Sequence, residues 1–196
     1  MYTWNYIKNA TLSKLDLNED EGNALSLISR FKYYANEAMT MICSTIKPKR
    51  CFATFTIGEN DIGKIATIND SNFISFGDDV NWLTTVNSFG ETVKSETSDS
   101  DFLYSGYKDI IPFKTGTYLI SYNARWCRFD NIEGSNIIDA PIDIVECLPS
   151  YIASQCMKVD DEYKASVFRN EFEIMFARID DTHYKTNKTF KIGGDW

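Results

Sequence analysis

Carboxylates stand in adjacent pairs at three places, Asp78/Asp79, Asp160/Asp161 and Asp180/Asp181. Two carboxyl groups held about 5–10 Å apart across a sugar would serve a glycosidase as acid and base. Each pair falls at an expected element boundary, however, where an aspartate caps a turn or complements a helix N-terminus. The single histidine, His183, has no Cys or Asp constellation at ligand spacing, which argues against zinc or a triad. No phosphate-cradling glycine loop and no nucleophile elbow occurs. The five cysteines, Cys43, Cys51, Cys127, Cys147 and Cys156, contain no C-x-x-C and read as reduced thiols packed as small apolar residues. The expectation is a protein without catalytic residues, metal or cofactor.

Other side chains invite binding rather than catalysis. Trp82, Trp126, Tyr104, Tyr107 and Tyr122 could stack on a glycan, although strand aromatics more often pack across strands. Lys47, Lys49 and Arg50 could touch a phosphate but read better as a solvated corner. Beyond the last expected helix the chain turns polar, yet keeps Phe190, Ile192 and Trp196. In an extended strand Phe190 and Ile192 share one face, with Thr189 and Lys191 on the other. That pattern suits addition to a partner's sheet edge or groove. Lys185, Lys188 and Lys191 add a positive strip. The expected partner-binding residues are therefore Lys185, Lys188, Phe190, Lys191, Ile192 and Trp196.

Composition bounds these readings. A chain of 196 residues suits one domain, or one with a sizeable insertion. A body of this size buries roughly 70% of its unfolded surface and needs no metal or disulfide staple. Thirteen Phe and eleven Tyr argue against disorder of the body. The net charge of -8 repels phosphates and disfavours nonspecific DNA or anionic-membrane binding. It still permits a duplex to slide through a negative lumen. No secretory signal is evident at Met1–Asn5, and no apolar run approaches the ~18 residues of a membrane helix. Synthesis in a reducing cytoplasm is expected.

The elements that must position these residues follow from periodicity. A short helix is expected over Thr3 to Leu15. A second starts after Asn18, with Glu21 completing a capping box. Its stripe is Leu25, Ile28, Phe31, Ala35, Ala38 and Ile42, and it stops at Pro48. The period then changes to two. Cys51, Ala53, Phe55 and Ile57 alternate with polar or outward residues, as do Tyr118, Ile120, Tyr122, Ala124 and Trp126. Shorter strand candidates are Lys64–Ile68, Trp82–Ser88, Glu91–Lys94 and Phe102–Tyr107. Asn87-Ser88-Phe89-Gly90 reads as a turn, and Ser95 to Asp101 as an acidic, mobile loop tip. The helical period returns at Pro141, in the first turn, with a kink or break at Pro149. A final helix from about Asp160 to Asp180 aligns Ala165, Phe168, Phe172, Met175 and Ile179. The fold class is α+β: residues 1–50 and 140–181 form a helical bundle, 51–139 a β-rich insertion, and 182–196 an extended docking tail.

The order of parts resembles the head-to-tail adaptor proteins of tailed bacteriophages, in the branch that includes tail tubular protein A of short-tailed phages. The resemblance is carried by Gly116-Thr117-Tyr118-Leu119-Ile120-Ser121-Tyr122-Asn123-Ala124, then by Ile142 to Ser154 with its core Leu148-Pro149-Ser150-Tyr151-Ile152-Ala153-Ser154. Arg169-Asn170-Glu171-Phe172-Glu173 in the last helix completes it. The resemblance implies a structural virion protein of the neck or tail region. It would form a homo-oligomeric, commonly dodecameric ring beneath the portal protein, extend the DNA channel and dock a tail or nozzle protein. DNA would pass through the lumen without sequence-specific binding, and no membrane would be involved. Residues 182–196 would then take the role of the segment that clasps the portal. The alternative is a glycan-binding or glycan-cleaving tail accessory that uses Trp82, Trp126 and an acidic pair.

Overall fold

The structure is a computed structural model and describes residues 2–19 and 22–183. The fold is α+β, with four helices and two antiparallel sheets among the described residues. It divides into a helical unit, made of residues up to Lys47 and from Trp126 onward, and a β unit, Pro48–Arg125.

The helical unit contains α1 (Trp4–Leu15), α2 (Gly22–Thr45), α3 (Ile142–Met157) and α4 (Glu162–His183). Thr3 caps α1, and Asp16 ends it with φ 59°, its N–H returning to Leu12 and Ser13 carbonyls. Asp161 caps α4: its Oδ1 accepts from the Lys164 N–H at 3.0 Å. Such a cap satisfies one of the N–H groups left without a partner at a helix start. α2 begins at Gly22, and the expected capping partner Glu21 lies outside the described residues.

α3 is the hub. Eleven of its sixteen residues are buried, and it packs against α1, α2 and α4. A helix apolar on all sides is stable only when enclosed. Phe31, Ala35, Ala38, Met39 and Ile42 of α2 and Phe172 and Ile179 of α4 complete the core. Leu25, expected in the α2 stripe, is 63% exposed. Pro141 is the residue before α3 rather than in its first turn, and α3 runs through Pro149 without a break. Pro149 is itself buried, so packing on several sides offsets the hydrogen bond that proline cannot make.

Residues 126–139, joined above to the β-rich insertion, pack with the helices. Asn5 N–H donates to the Gly134 carbonyl (2.9 Å) and Ile138 N–H to that of Tyr2 (2.9 Å). Asn36 Oδ1 accepts from Phe129 N–H (2.9 Å), and the buried Phe129 ring meets Trp4 at 5.5 Å. This segment alternates poorly and satisfies its backbone on α1 and α2 instead of a sheet.

The β unit holds β1 (Lys49–Ile57), β2 (Ala66–Thr67), β3 (Phe73–Phe76), β4 (Trp82–Val86), β5 (Thr92–Glu96), β6 (Phe102–Tyr104), β7 (Asp109–Pro112) and β8 (Gly116–Ala124), with a 3-10 turn at Glu59–Asp61. One sheet has the order β1-β8-β4-β5, with β3 also on β8; the other is β2-β7-β6. β1 and β8 pair along their whole length, from Lys49↔Ala124 to Ile57↔Gly116. Ile57, Leu83, Phe102, Ile110, Tyr118 and Ile120 form the core. Gly116 (φ 138°) is required where β8 passes β4, because a Cβ there would sit 2.6 Å from the Thr84 carbonyl oxygen.

Candidate functional site

The expected partner-binding residues Lys185, Lys188, Phe190, Lys191, Ile192 and Trp196 lie outside the described residues. Thr182 and His183, placed above in the tail, instead close α4.

The aspartate pairs go to different places. Asp79 pairs with Arg50 (Oδ1 to a guanidinium nitrogen, 3.1 Å), and its carbonyl accepts from Ser121 Oγ at 2.9 Å. Asp78 and Asp160 are exposed, and Asp161 is the cap described above. Lys47 corrects the reading of a solvated corner. It is 9% exposed, and its ammonium meets Asp143 Oδ2 at 2.6 Å. The Lys47 carbonyl accepts from the Trp126 indole at 3.0 Å.

The glycan-platform aromatics are divided between the two units. Trp126 belongs to the helical unit. In the β unit the face of Trp82 carries the Lys94 ammonium, 4.6 Å from the ring centroid. Tyr104, Tyr107 and Tyr122 join a network of ring contacts through Phe73, Phe76 and Phe102. Their hydroxyls are tied: Tyr122 donates to Asp70 Oδ2 (2.9 Å), Tyr107 to the Phe73 carbonyl (3.0 Å), and Tyr104 accepts from Asn81 (2.9 Å). Burial, helped by the Asp70 carboxylate, raises the Tyr122 pKa. These rings hold the unit together, as cross-strand aromatics do.

Ser95 to Asp101 is a loop only in part: residues 97–101 form a turn, exposed at Ser98, Asp99 and Ser100. Ser95 and Glu96 belong to β5, and Asp101 is buried. Asp101 Oδ1 meets Lys114 Nζ at 2.5 Å, Oδ2 accepts from Ser98 N–H at 2.7 Å, and its carbonyl accepts from Tyr118 OH at 2.8 Å. The Lys114 hydrogen bond holds its carboxyl below the usual range.

None of the five cysteines is in a disulfide. Burial pushes Cys147 and Cys156 each up to about 12, which makes them poor nucleophiles. Among the described residues no His/Cys/Asp/Glu group could hold a metal ion. No helix among them is long and apolar enough to cross a membrane.

Among the described residues, exposed apolar side chains offer contact surface. On α4, Tyr163, Val167 and Ile174 recur at helical spacing and are exposed, opposite the buried Phe172 and Ile179. At the β4–β5 turn Phe89 is 87% exposed. Its loop is fixed by Asn87, whose Oδ1 accepts from the N–H groups of Phe89 (3.0 Å) and Glu91 (2.9 Å). The sequence reading missed both. The signal for the first was an apolar row on α4 offset from the core row. A contiguous row of exposed apolar side chains, unlike a single one, is the kind of surface that marks protein contact.

No family model matches the chain, and no curated protein matches it. Among solved structures it is similar to a chain from the neck of an empty GTA particle computed with C6 symmetry. The identity is 13% and the TM-score 0.30, over 75% of this chain and 74% of that one.

Proposed function

We propose that this protein is a structural virion component, a head-to-tail adaptor that assembles as a closed ring beneath a portal. In this reading it extends the DNA channel, docks a tail or nozzle protein and performs no chemistry. The observation that carries it is the outer row of α4, where Tyr163, Val167 and Ile174 remain exposed although the opposite face already fills the core. A surface of that kind, met by a different patch on the next copy, repeats into a ring. The helical unit interrupted by a β unit between α2 and α3 is the order of parts that the adaptor resemblance implies. A dodecamer is the stoichiometry the reading favours, with DNA passing a negative lumen.

Negative-stain imaging and mass photometry of the full chain, alone and with the portal protein, test it. Rings that form with the portal, and that Tyr163→Glu with Ile174→Glu abolishes while the circular dichroism spectrum is kept, are the expected result. A chain that stays monomeric at every concentration with and without portal would overturn the reading. Tryptophan quenching by oligosaccharides would favour the glycan-binding alternative.

A further inference from the structure

We infer that the tip of the β4–β5 hairpin of one copy, led by Phe89, seats in the groove beside β1 of the next copy. The inference rests on the ring reading above and names a contact that joins its copies.

The hairpin is built to present its tip. The pairing of β4 with β8 covers Trp82 to Thr84. The rungs Thr85↔Val93 and Val86↔Thr92 run on past it as a two-stranded ribbon. Val86, Phe89 and Val93 are all exposed there among the described residues. The turn keeps its shape through its own bonds. Gly90 takes φ 78° and donates its N–H to the Asn87 carbonyl at 3.0 Å, and Asn87 N–H donates to that of Glu91 at 2.9 Å. A tip already held in place loses little freedom on docking. One exposed aromatic is ordinary, but three apolar side chains at the end of one fixed ribbon form the apolar centre of a contact.

The acceptor is a groove of about 350 Å³ along the second half of β1. Phe55, Ile57, Ile65 and Ala66 line it, together with Asp61 and Lys64. It has room for an aromatic ring and apolar walls to receive one. The charges match as well. Glu91 stands two residues from Phe89, and Lys64 stands in the groove. Lys64 and Asp61 are 3.5 Å apart with side chains 66% and 53% exposed. An ion pair so exposed is worth little, so the lysine can take a new carboxylate. In the strand order β1-β8-β4-β5 the outer strands are three spacings, roughly 14 Å, apart. Donor and acceptor are therefore different patches at opposite ends of one sheet. A contact between them is heterologous: each copy gives a hairpin and receives one, as a closed ring requires.

The test uses full-length chains, with and without the portal protein. A tagged chain carrying Thr56→Cys is mixed with an untagged chain carrying Ser88→Cys and mildly oxidised, with the wild-type chain as the background for its own cysteines. The expected result is a disulfide between residue 56 of the tagged chain and residue 88 of the untagged one, read on denaturing gels and by mass spectrometry. Phe89→Asp should lower ring formation about tenfold or more in mass photometry, with an unchanged circular dichroism spectrum. Lys64→Glu and Glu91→Lys should each weaken the rings, and a chain carrying both should regain them. Rings that form with no 56–88 link and tolerate Phe89→Asp would overturn the inference while leaving the adaptor reading intact. So would a chain carrying both cysteines that links only within itself. Copies that link through 56 and 88 yet never close keep the contact and overturn the ring. A chain that stays monomeric at every concentration, with and without portal, overturns both.

Discussion

Lys47 and Asp143 are 96 positions apart, yet the lysine ammonium sits 2.6 Å from the aspartate Oδ2. The pair ties the chain just past α2 to the first turn of α3. The lysine side chain is 10% exposed and the aspartate 31%. Removing the lysine leaves a carboxylate that water still reaches; removing the aspartate charge leaves an enclosed ammonium. Lys47→Met should therefore cost ~1–3 kcal/mol, and Asp143→Leu more, ~3–5 kcal/mol. The double variant should recover part of the loss, as read from urea midpoints.

Phe172 is buried against Tyr151, with ring centroids 5.0 Å apart, and it contacts Phe176. Phe172→Ala empties space between α3 and α4. A loss of ~3–5 kcal/mol is expected, with a matching fall in melting temperature.

Asp101 should govern acid sensitivity of the β unit. Its folded pKa lies below the ordinary aspartate value of 3.8. Its contribution is therefore present above that value and lost as pH falls through the lower folded one. Asp101→Asn should lower stability at neutral pH and flatten the acid limb of a melting-temperature profile. Lys114→Ala should flatten it partly, since the Ser98 contacts remain.

Part of the alkaline sensitivity should come from the helical unit. Burial raises Cys147 and Cys156 from 9.0 to about 12, and Tyr151 from 10.0 to about 12. A raised pKa of this kind means stability that is intact below pH 9 and lost as pH rises towards 12. Cys156→Ala should reduce the steepness of that loss. In native protein at pH 8, Cys147 and Cys156 should resist thiol reagents until the chain is unfolded.

Asp161→Ala removes the α4 cap and should cost ~1 kcal/mol. Asn substitutions at Asp78, Asp79, Asp160 and Asp161, assayed on oligosaccharide substrates, should alter folding or assembly only. A hydrolytic activity abolished by one of them would refute a purely structural role.

Periodicity made the helices and the β1–β8 pair legible, because Phe31, Ala35, Phe172, Phe55 and Tyr118 repeat at spacings that only one geometry can bury. β3 and β7 escaped, since four residues such as Phe73–Phe76 give too little alternation and become strands only through β8 and the second sheet. Asp101 and Lys47 read as surface charge because nothing local announces a partner 13 or 96 positions away. The contact surface was half legible. Tyr163 and Val167 stand in the sequence, but only the packing of α3 decides which row of α4 is left outside.

The first and last rungs of the β unit, Lys49 and Ala124, are opposite each other, so the chain enters and leaves that unit at one point. The Trp126 indole bonded to the Lys47 carbonyl fastens the helical side of the same point. An insertion whose ends meet asks nothing of the flanking chain but a short gap, so another segment with adjacent ends could be grafted between residues 47 and 126 and tested for folding.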